Sequence, residues 1–252
     1  MNIISPAFAE LLKAMEPIFQ AFGHDHFLVG AVARDIHLSR NSRMASGRQT
    51  VDVDIAVLLQ NAEQFDAIKQ ALVATGNFTA VPNFPFRLIY NGKIELDILP
   101  FGEIESDNRQ LKLNPDIVLN MTGFMEIHPF VSMHQIADDL TMNVCPLEGL
   151  IILKLLSSSD NPDRTKDVAD IEHIINIYFE WNNDEIYNDH FDVMDLYETR
   201  ISFYLELVSA HILGRKMKNI LRSDPSTANK IADILAKRPL ATWQAMLAGL
   251  NE

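Results

Sequence analysis

The stretch "TVDVDIAVLL", Thr50 to Leu59, constrains the fold more than any other in the chain. Its Val, Ile and Leu residues read as a buried β-strand, yet two aspartates stand inside it. Side chains alternate along a strand, so Asp52 and Asp54 share one face, while Val51, Val53, Ile55 and Val57 share the other. Their Cα atoms lie roughly 6–7 Å apart. At an effective dielectric near 20, two such charges repel by roughly 2–3 kcal/mol. Two resolutions are open. The acids face solvent on one side of an antiparallel sheet, or a cation joins them. Mg²⁺ does this directly, because it takes carboxylate oxygens and keeps water or phosphate at its other positions.

A second acidic strand adds to the second resolution. In "KIELDILPFG", Ile94, Leu96 and Ile98 face one way, and Glu95 and Asp97 face the other. If the two strands are neighbours, Asp97 joins Asp52 and Asp54. Three aspartates on one sheet face can hold two Mg²⁺ ions, and two metals clamp the attacking and leaving oxygens of an in-line phosphoryl displacement. Asp97 can also accept the proton of an acceptor hydroxyl.

Gly30 ends the short strand "HFLVG" and opens the helix "AVARDIHL". A glycine there lets the backbone approach a ligand, and the N–H groups of the new helix favour an anion. A plain tight turn is the alternative. Charge patterning points the same way. "RDIHLSRNSRMASGR" carries Arg34, Arg40, Arg43 and Arg48 against the single acid Asp35. Residues 160 to 200 hold 12 Asp or Glu and 3 Lys or Arg, so the positive charge concentrates in the first half.

These residues resemble the polymerase-β-like nucleotidyltransferase superfamily: a glycine turn (Gly30), Asp-x-Asp on a strand (Asp52, Asp54), and a third aspartate on a later strand (Asp97). "FLVGAVARDIHL" is similar to the glycine head of CCA-adding enzymes, with Gly30, Arg34 and Asp35 in register and Ala31 at the second small position. "ELDILPFG" followed by "PLEGLIILKLLSSSDNPDRTKDVADI" looks most like the AbiEii-type toxin nucleotidyltransferases. The resemblance covers about residues 30 to 175. It implies a nucleotide site that includes Gly30, Ala31, Arg34, Arg48, Lys154, Lys166, Asp167 and Asp170. It implies Asp52, Asp54 and Asp97 as catalytic residues and as ligands of two Mg²⁺ ions.

Each of these has a plainer reading. Arg34 and Asp35 can pair internally to fix the turn, Arg48 can be a solvated loop arginine, and Lys154 can snorkel from an amphipathic helix. Asp167 and Asp170 share a helix face and suit the helix N-terminus in any case. His24 and His26 in "GHDHF" have no partner cluster in sequence and read as a surface turn. Cys145 reads as buried packing. Phe84, Phe86 and Tyr90 either stack a base or pack in the core.

The expected architecture is an α/β (α+β) nucleotidyltransferase head with a short mixed β-sheet, residues 1–140, followed by a helical C-terminal domain, residues 141–252. Ser5-Pro6 starts a helix, "AEQFDAIKQALVAT" is another, and "FRLIY", Asn91-Gly92 and "KIELDIL" make a hairpin. Residues 105–120 read as a loop, and "FMEIHPF" is a candidate strand.

The chain has 252 residues and a net charge of −13, which disfavours binding along a phosphate backbone. Its longest apolar run, "LEGLIILKLL", is interrupted by Glu148 and Lys154, so no membrane span is expected. The single cysteine excludes an internal disulfide, and the N-terminus shows no basic segment of a signal peptide, so the cytoplasm is the expected location.

The expected function is Mg²⁺-dependent transfer of a nucleoside monophosphate from an NTP to an acceptor hydroxyl on tRNA, a protein or a small molecule. An antitoxin-like partner is implied by the resemblance. The alternatives are a catalytically weak or inert protein of this fold acting as a binding or toxin-like module, and an antibiotic adenylyltransferase.

Overall fold

A computed structural model describes residues 4–38 and 52–252. The chain divides into two compact units, one reaching to Pro146 and one spanning Leu147–Glu252.

The first unit opens with α1 (Pro6–Phe22). Ser5 caps it by accepting from the Phe8 N–H at 3.3 Å, and Pro6 stands at the first helical position, where a missing N–H costs nothing. Leu11, Leu12, Met15 and Phe19 form its buried stripe. Then follow β1 (His26–Val29), α2 (Gly30–Leu38), β2 (Asp52–Leu58) and α3 (Ala62–Ala74), the last capped by the Asn61 side chain. The strands β3 (Phe78–Ala80), β4 (Arg87–Tyr90) and β5 (Ile94–Phe101) come next. Asn91 and Gly92 join β4 to β5 with φ of +49° and +67°, the turn that the Asn-Gly pair predicts.

Further on lie β6 (Gln110–Lys112), β7 (Val118–Asn120), α4 (Phe124–Ile127), a 3₁₀ turn at His128–Phe130, β8 (Ser132–Ala137) and β9 (Leu140–Val144). Among the described residues, seven strands form one sheet in the order β3-β4-β5-β2-β1-β9-β8. β2 runs parallel to β5 and antiparallel to β1, so the sheet is mixed. A parallel pair needs a long crossover, and α3 with the β3–β4 excursion supplies it.

Two expectations fail between 105 and 130. Residues 105–120 contain the two-stranded sheet β6-β7 rather than a loop alone. It is fixed by Arg109, whose guanidinium donates to Glu105 at 2.6 Å and to Glu126 at 3.0 Å. "FMEIHPF" forms α4 and the 3₁₀ turn, not a strand; Phe124 and Ile127, three apart, are buried on one side of that turn. The β8–β9 hairpin carried no sequence expectation, although Leu140, Met142 and Val144 alternate as buried residues along β9.

The second unit is helical: α5 (Leu147–Asp160), α6 (Thr165–Trp181), α7 (Asn183–Asp189), α8 (Phe191–Met194), α9 (Tyr204–Leu221), α10 (Pro225–Ala236) and α11 (Ala241–Asn251). The helices α9 and α11 cross closely at two glycines: a Cβ on Gly214 would lie 2.1 Å from the Met246 carbonyl oxygen, and one on Gly249 would lie 2.0 Å from that of His211. No helix among the described residues is long and apolar enough to cross a membrane.

Candidate active site

The parallel pairing of β2 with β5 sets Asp52 opposite Glu95 and Asp54 opposite Asp97. Residues paired in register share a face, so four acids from two adjacent strands gather on one side of the sheet. The reverse face of β2 carries Val53, Ile55 and Val57, all fully buried. The apolar half of the alternation therefore anchors the strand, and the acidic half is presented. Neighbouring strands lie about 4.8 Å apart. At an effective dielectric near 20, the charges of Asp54 and Asp97 repel by about 3 kcal/mol unless compensated.

β1 brings the glycine turn to the same place. Val29 pairs with Asp54, and Gly30 follows it as the first residue of α2. Gly30 has φ +65°, and a Cβ built on it would lie 2.0 Å from Asp54 Oδ2. The Asp54 carboxylate therefore rests against bare backbone at the N-terminus of α2, where the helix dipole favours negative charge.

Arg87 compensates part of the acidic face, and it was not among the sequence candidates. Its Nε donates to Asp97 Oδ1 at 2.7 Å and its Nη2 to Asp97 Oδ2 at 2.8 Å, a two-pronged pair. Its Nη1 meets Glu95. The bond to Asp97 is the chief cause that raises the Arg87 pKa above its ordinary value; burial opposes it, and Asp97, Glu95 and Asp52 add by charge. The guanidinium also lies 5.6 Å from the Phe84 ring centre and 5.9 Å from that of Phe86. Those two aromatics therefore brace an arginine, while Tyr90 is buried beside Phe78. The sequence alone did not give this contact: a two-residue Asn-Gly loop pairs Tyr90 with Lys93 and Arg87 with Leu96, whereas in the structure Lys93 joins the turn, Tyr90 pairs with Ile94, and Arg87 comes opposite Asp97.

The donors suit a hard cation in kind. Among the described residues no three His, Cys, Asp or Glu side chains converge as a ready cage. Mg²⁺ does not need one, because it is bound by one or two carboxylates with substrate phosphates and water completing the shell. Asp52 and Asp54 offer two carboxylates on one strand face, and the glycine at position 30 leaves the Asp54 oxygen room.

The remaining candidates are placed as follows. Arg34 is buried, and its Nε and Nη2 donate to Asp35 Oδ1 at 2.9 and 2.8 Å. Ala31 sits in the first turn of α2. Arg48 lies outside the described residues. His26 bonds Glu16 at 2.9 Å and the His24 carbonyl oxygen at 3.0 Å, which is structural work rather than metal ligation. Cys145 is buried, as packing requires.

In the helical unit, α5 and α6 gather Lys154, Asp167 and Asp170. Lys154 Nζ donates to Asp170 Oδ2 at 2.8 Å and lies 3.4 Å from Asp167 Oδ1, while Arg164 Nε holds Asp167 Oδ2 at 2.6 Å. Asp167 and Asp170 are buried, and the three-residue spacing on α6 turns both toward the same lysine. Lys166, immediately before Asp167 in sequence, is exposed and makes no described ion pair.

A mixed sheet that presents paired aspartates beside a glycine turn, followed by a helical unit, is the arrangement of a nucleotidyltransferase. Residues 15–251 match the family described as the nucleotidyl transferase AbiEii toxin of Type IV toxin–antitoxin systems, and the chain belongs to that family. No curated protein matches the chain. Among solved structures, it is similar to the antibiotic-resistance factor ANT(2'')-Ia in solution, with 11% identity and a TM-score of 0.44 over 84% of this chain and 95% of that one. It is also similar to crystalline ANT(2'')-Ia in complex with adenylyl-2''-tobramycin, with 12% identity and a TM-score of 0.42 over 66% and 86% of the two chains.

Proposed function

We propose that this nucleotidyltransferase moves a nucleoside monophosphate from an NTP to an acceptor hydroxyl with Mg²⁺, releasing pyrophosphate. One observation carries the reading: Asp54 lies against Gly30 at the start of α2 and is paired in register with Asp97. Asp52 and Asp54 would hold the metal, with Asp97 as the candidate third ligand. When bound, Mg²⁺ supplies neutralisation of the charge that builds on the transferring phosphoryl group. The turn at Gly30 and Ala31 offers backbone N–H groups to the phosphates. Asp97 is the proposed acceptor of the hydroxyl proton.

The other nucleotide contacts rest on the family. Lys154 and Lys166 would meet phosphate or ribose, with Asp167 and Asp170 orienting Lys154. Arg34 would act through the turn it braces with Asp35, and Arg48 would meet the triphosphate. The acceptor would be tRNA, a protein or a small molecule, and the acidic surface favours the last two. Membership of a toxin–antitoxin family supports an antitoxin-like partner and a cytoplasmic setting.

The test is incubation with each labelled NTP, Mg²⁺ and a pool of tRNA, proteins and aminoglycosides. Label should pass to one class of acceptor with the native chain and fail to pass with Asp54→Asn. A native chain that binds no NTP and labels nothing overturns the proposal.

A further inference from the structure

The acidic face poses a question that nucleotidyl transfer leaves unanswered. If Asp97 is to serve a metal or take a proton, its oxygens must be reachable, yet both are held by Arg87. Resting on the nucleotidyl-transfer reading, we propose that Arg87 is the internal counter-ion of Asp97 and competes with the divalent cation for it. Arg87 is thereby a positioning residue that sets how much metal the site requires.

Three features support this. The pairing is built into the fold, since Arg87 stands opposite Asp97 in the β4–β5 register and the fork matches both carboxylate oxygens. The arginine answers the whole acidic face rather than one partner: it also bonds Glu95, and its charge is felt with that of Asp52. Finally, the guanidinium keeps other partners if Asp97 is given up: in the same position it bonds Glu95 and lies 5.6 and 5.9 Å from the Phe84 and Phe86 ring centres, so losing Asp97 does not leave it an unpaired charge.

In this arrangement the metal-free protein keeps its carboxylates compensated by a side chain. An arriving divalent ion replaces the guanidinium at Asp97, and no bond other than hydrogen bonds is made or broken in the chain. Affinity for the metal is then lowered by the free energy of the Arg87–Asp97 pair. Removal of Arg87 should tighten metal binding, the opposite of what loss of a merely structural arginine does.

Mn²⁺ binding to the full chain, measured calorimetrically and by the electron-spin resonance of free Mn²⁺, reads this directly without any turnover. Arg87→Gln should bind Mn²⁺ about tenfold tighter than the native chain, on the scale by which groups around a ligand tune metal sites. Arg87→Lys, which keeps the charge but loses the fork, should fall between. Adding Asp97→Asn to either variant should erase the gain. The lysine variant guards against a glutamine variant that does not fold. If the native chain binds Mn²⁺ and the variants bind it equally or more weakly, the inference falls and nucleotidyl transfer stands. If neither native nor variant chains bind Mn²⁺, the metal-dependent reading falls with it.

Discussion

Gly30 and Asp54 are matched so closely that the glycine's missing side chain is where the carboxylate sits: a Cβ would come within 2.0 Å of Asp54 Oδ2. The backbone there has φ +65°, which costs an L-residue roughly 1–2 kcal/mol even in open space. Gly30→Ala therefore meets two penalties, and the side chain that must move is the one proposed to hold metal. The expected outcome is a loss of at least about 2 kcal/mol in unfolding free energy together with loss of NTP labelling. Gly23→Ala is the control, because Gly23 has φ +66° and nothing within 4 Å of its Cβ. It should show the strain alone and keep activity.

Lys154 distinguishes a structural ion pair from a nucleotide contact. Its ammonium is held by two buried carboxylates, Asp167 and Asp170. Lys154→Met should therefore destabilise the helical unit, because it removes the cation that both carboxylates share. Asp170→Asn in the same chain should restore much of this stability. If Lys154 also contacts NTP, the double variant will be folded and still bind nucleotide weakly; if it binds as the native chain does, the contact is excluded.

The pair Glu16–His26 gives the first unit a pH signature. For His26, burial favours the neutral form, but the hydrogen bond its ring donates to Glu16 and the neighbouring charges outweigh it and raise the pKa above 6.5. For Glu16, burial raises and His26 lowers, and the net is a pKa below 4.5. The histidine's contribution is thus complete below 6.5 and fades as pH rises through its folded value. The glutamate's is complete above 4.5 and fades as pH falls through its own. The stability difference between native and His26→Gln proteins, followed by urea titration, should be largest near pH 5–6 and shrink toward pH 8 and toward pH 3. A difference independent of pH would show the pair is uncharged.

Much of this fold is legible in sequence wherever a local rule decides. Ser5-Pro6, Asn91-Gly92 and the alternation around Asp52 and Asp54 each state their own geometry. Arg87 was illegible to a motif search because arginine on an edge-side strand has no signature; only strand register gives it meaning. The β6–β7 sheet was hidden for a related reason. It hangs on Arg109, at φ +57°, reaching forward to Glu126, and such a contact leaves no periodic trace. The short helix at Phe124 was misread because aromatic and β-branched residues favour strands on average. There the packing of one short turn overrides that preference.

The crossing of α9 and α11 shows the same limit and yields the last prediction. Glycine inside a helix costs about 1 kcal/mol relative to alanine, so Gly214 and Gly249 look like defects in sequence. In the structure each lets a backbone carbonyl of the other helix approach, Met246 toward Gly214 and His211 toward Gly249. Alanine at either site gains helix propensity but puts a methyl group about 2 Å from a carbonyl oxygen that sits in a rigid helix. The clash should win, because neither neighbour is the end of a flexible side chain, and overpacking of this kind costs typically ~1–3 kcal/mol. Gly249→Ala should therefore lower the midpoint of thermal unfolding. A rise in the midpoint for Gly249→Ala would mean that the two helices do not pack this closely in solution.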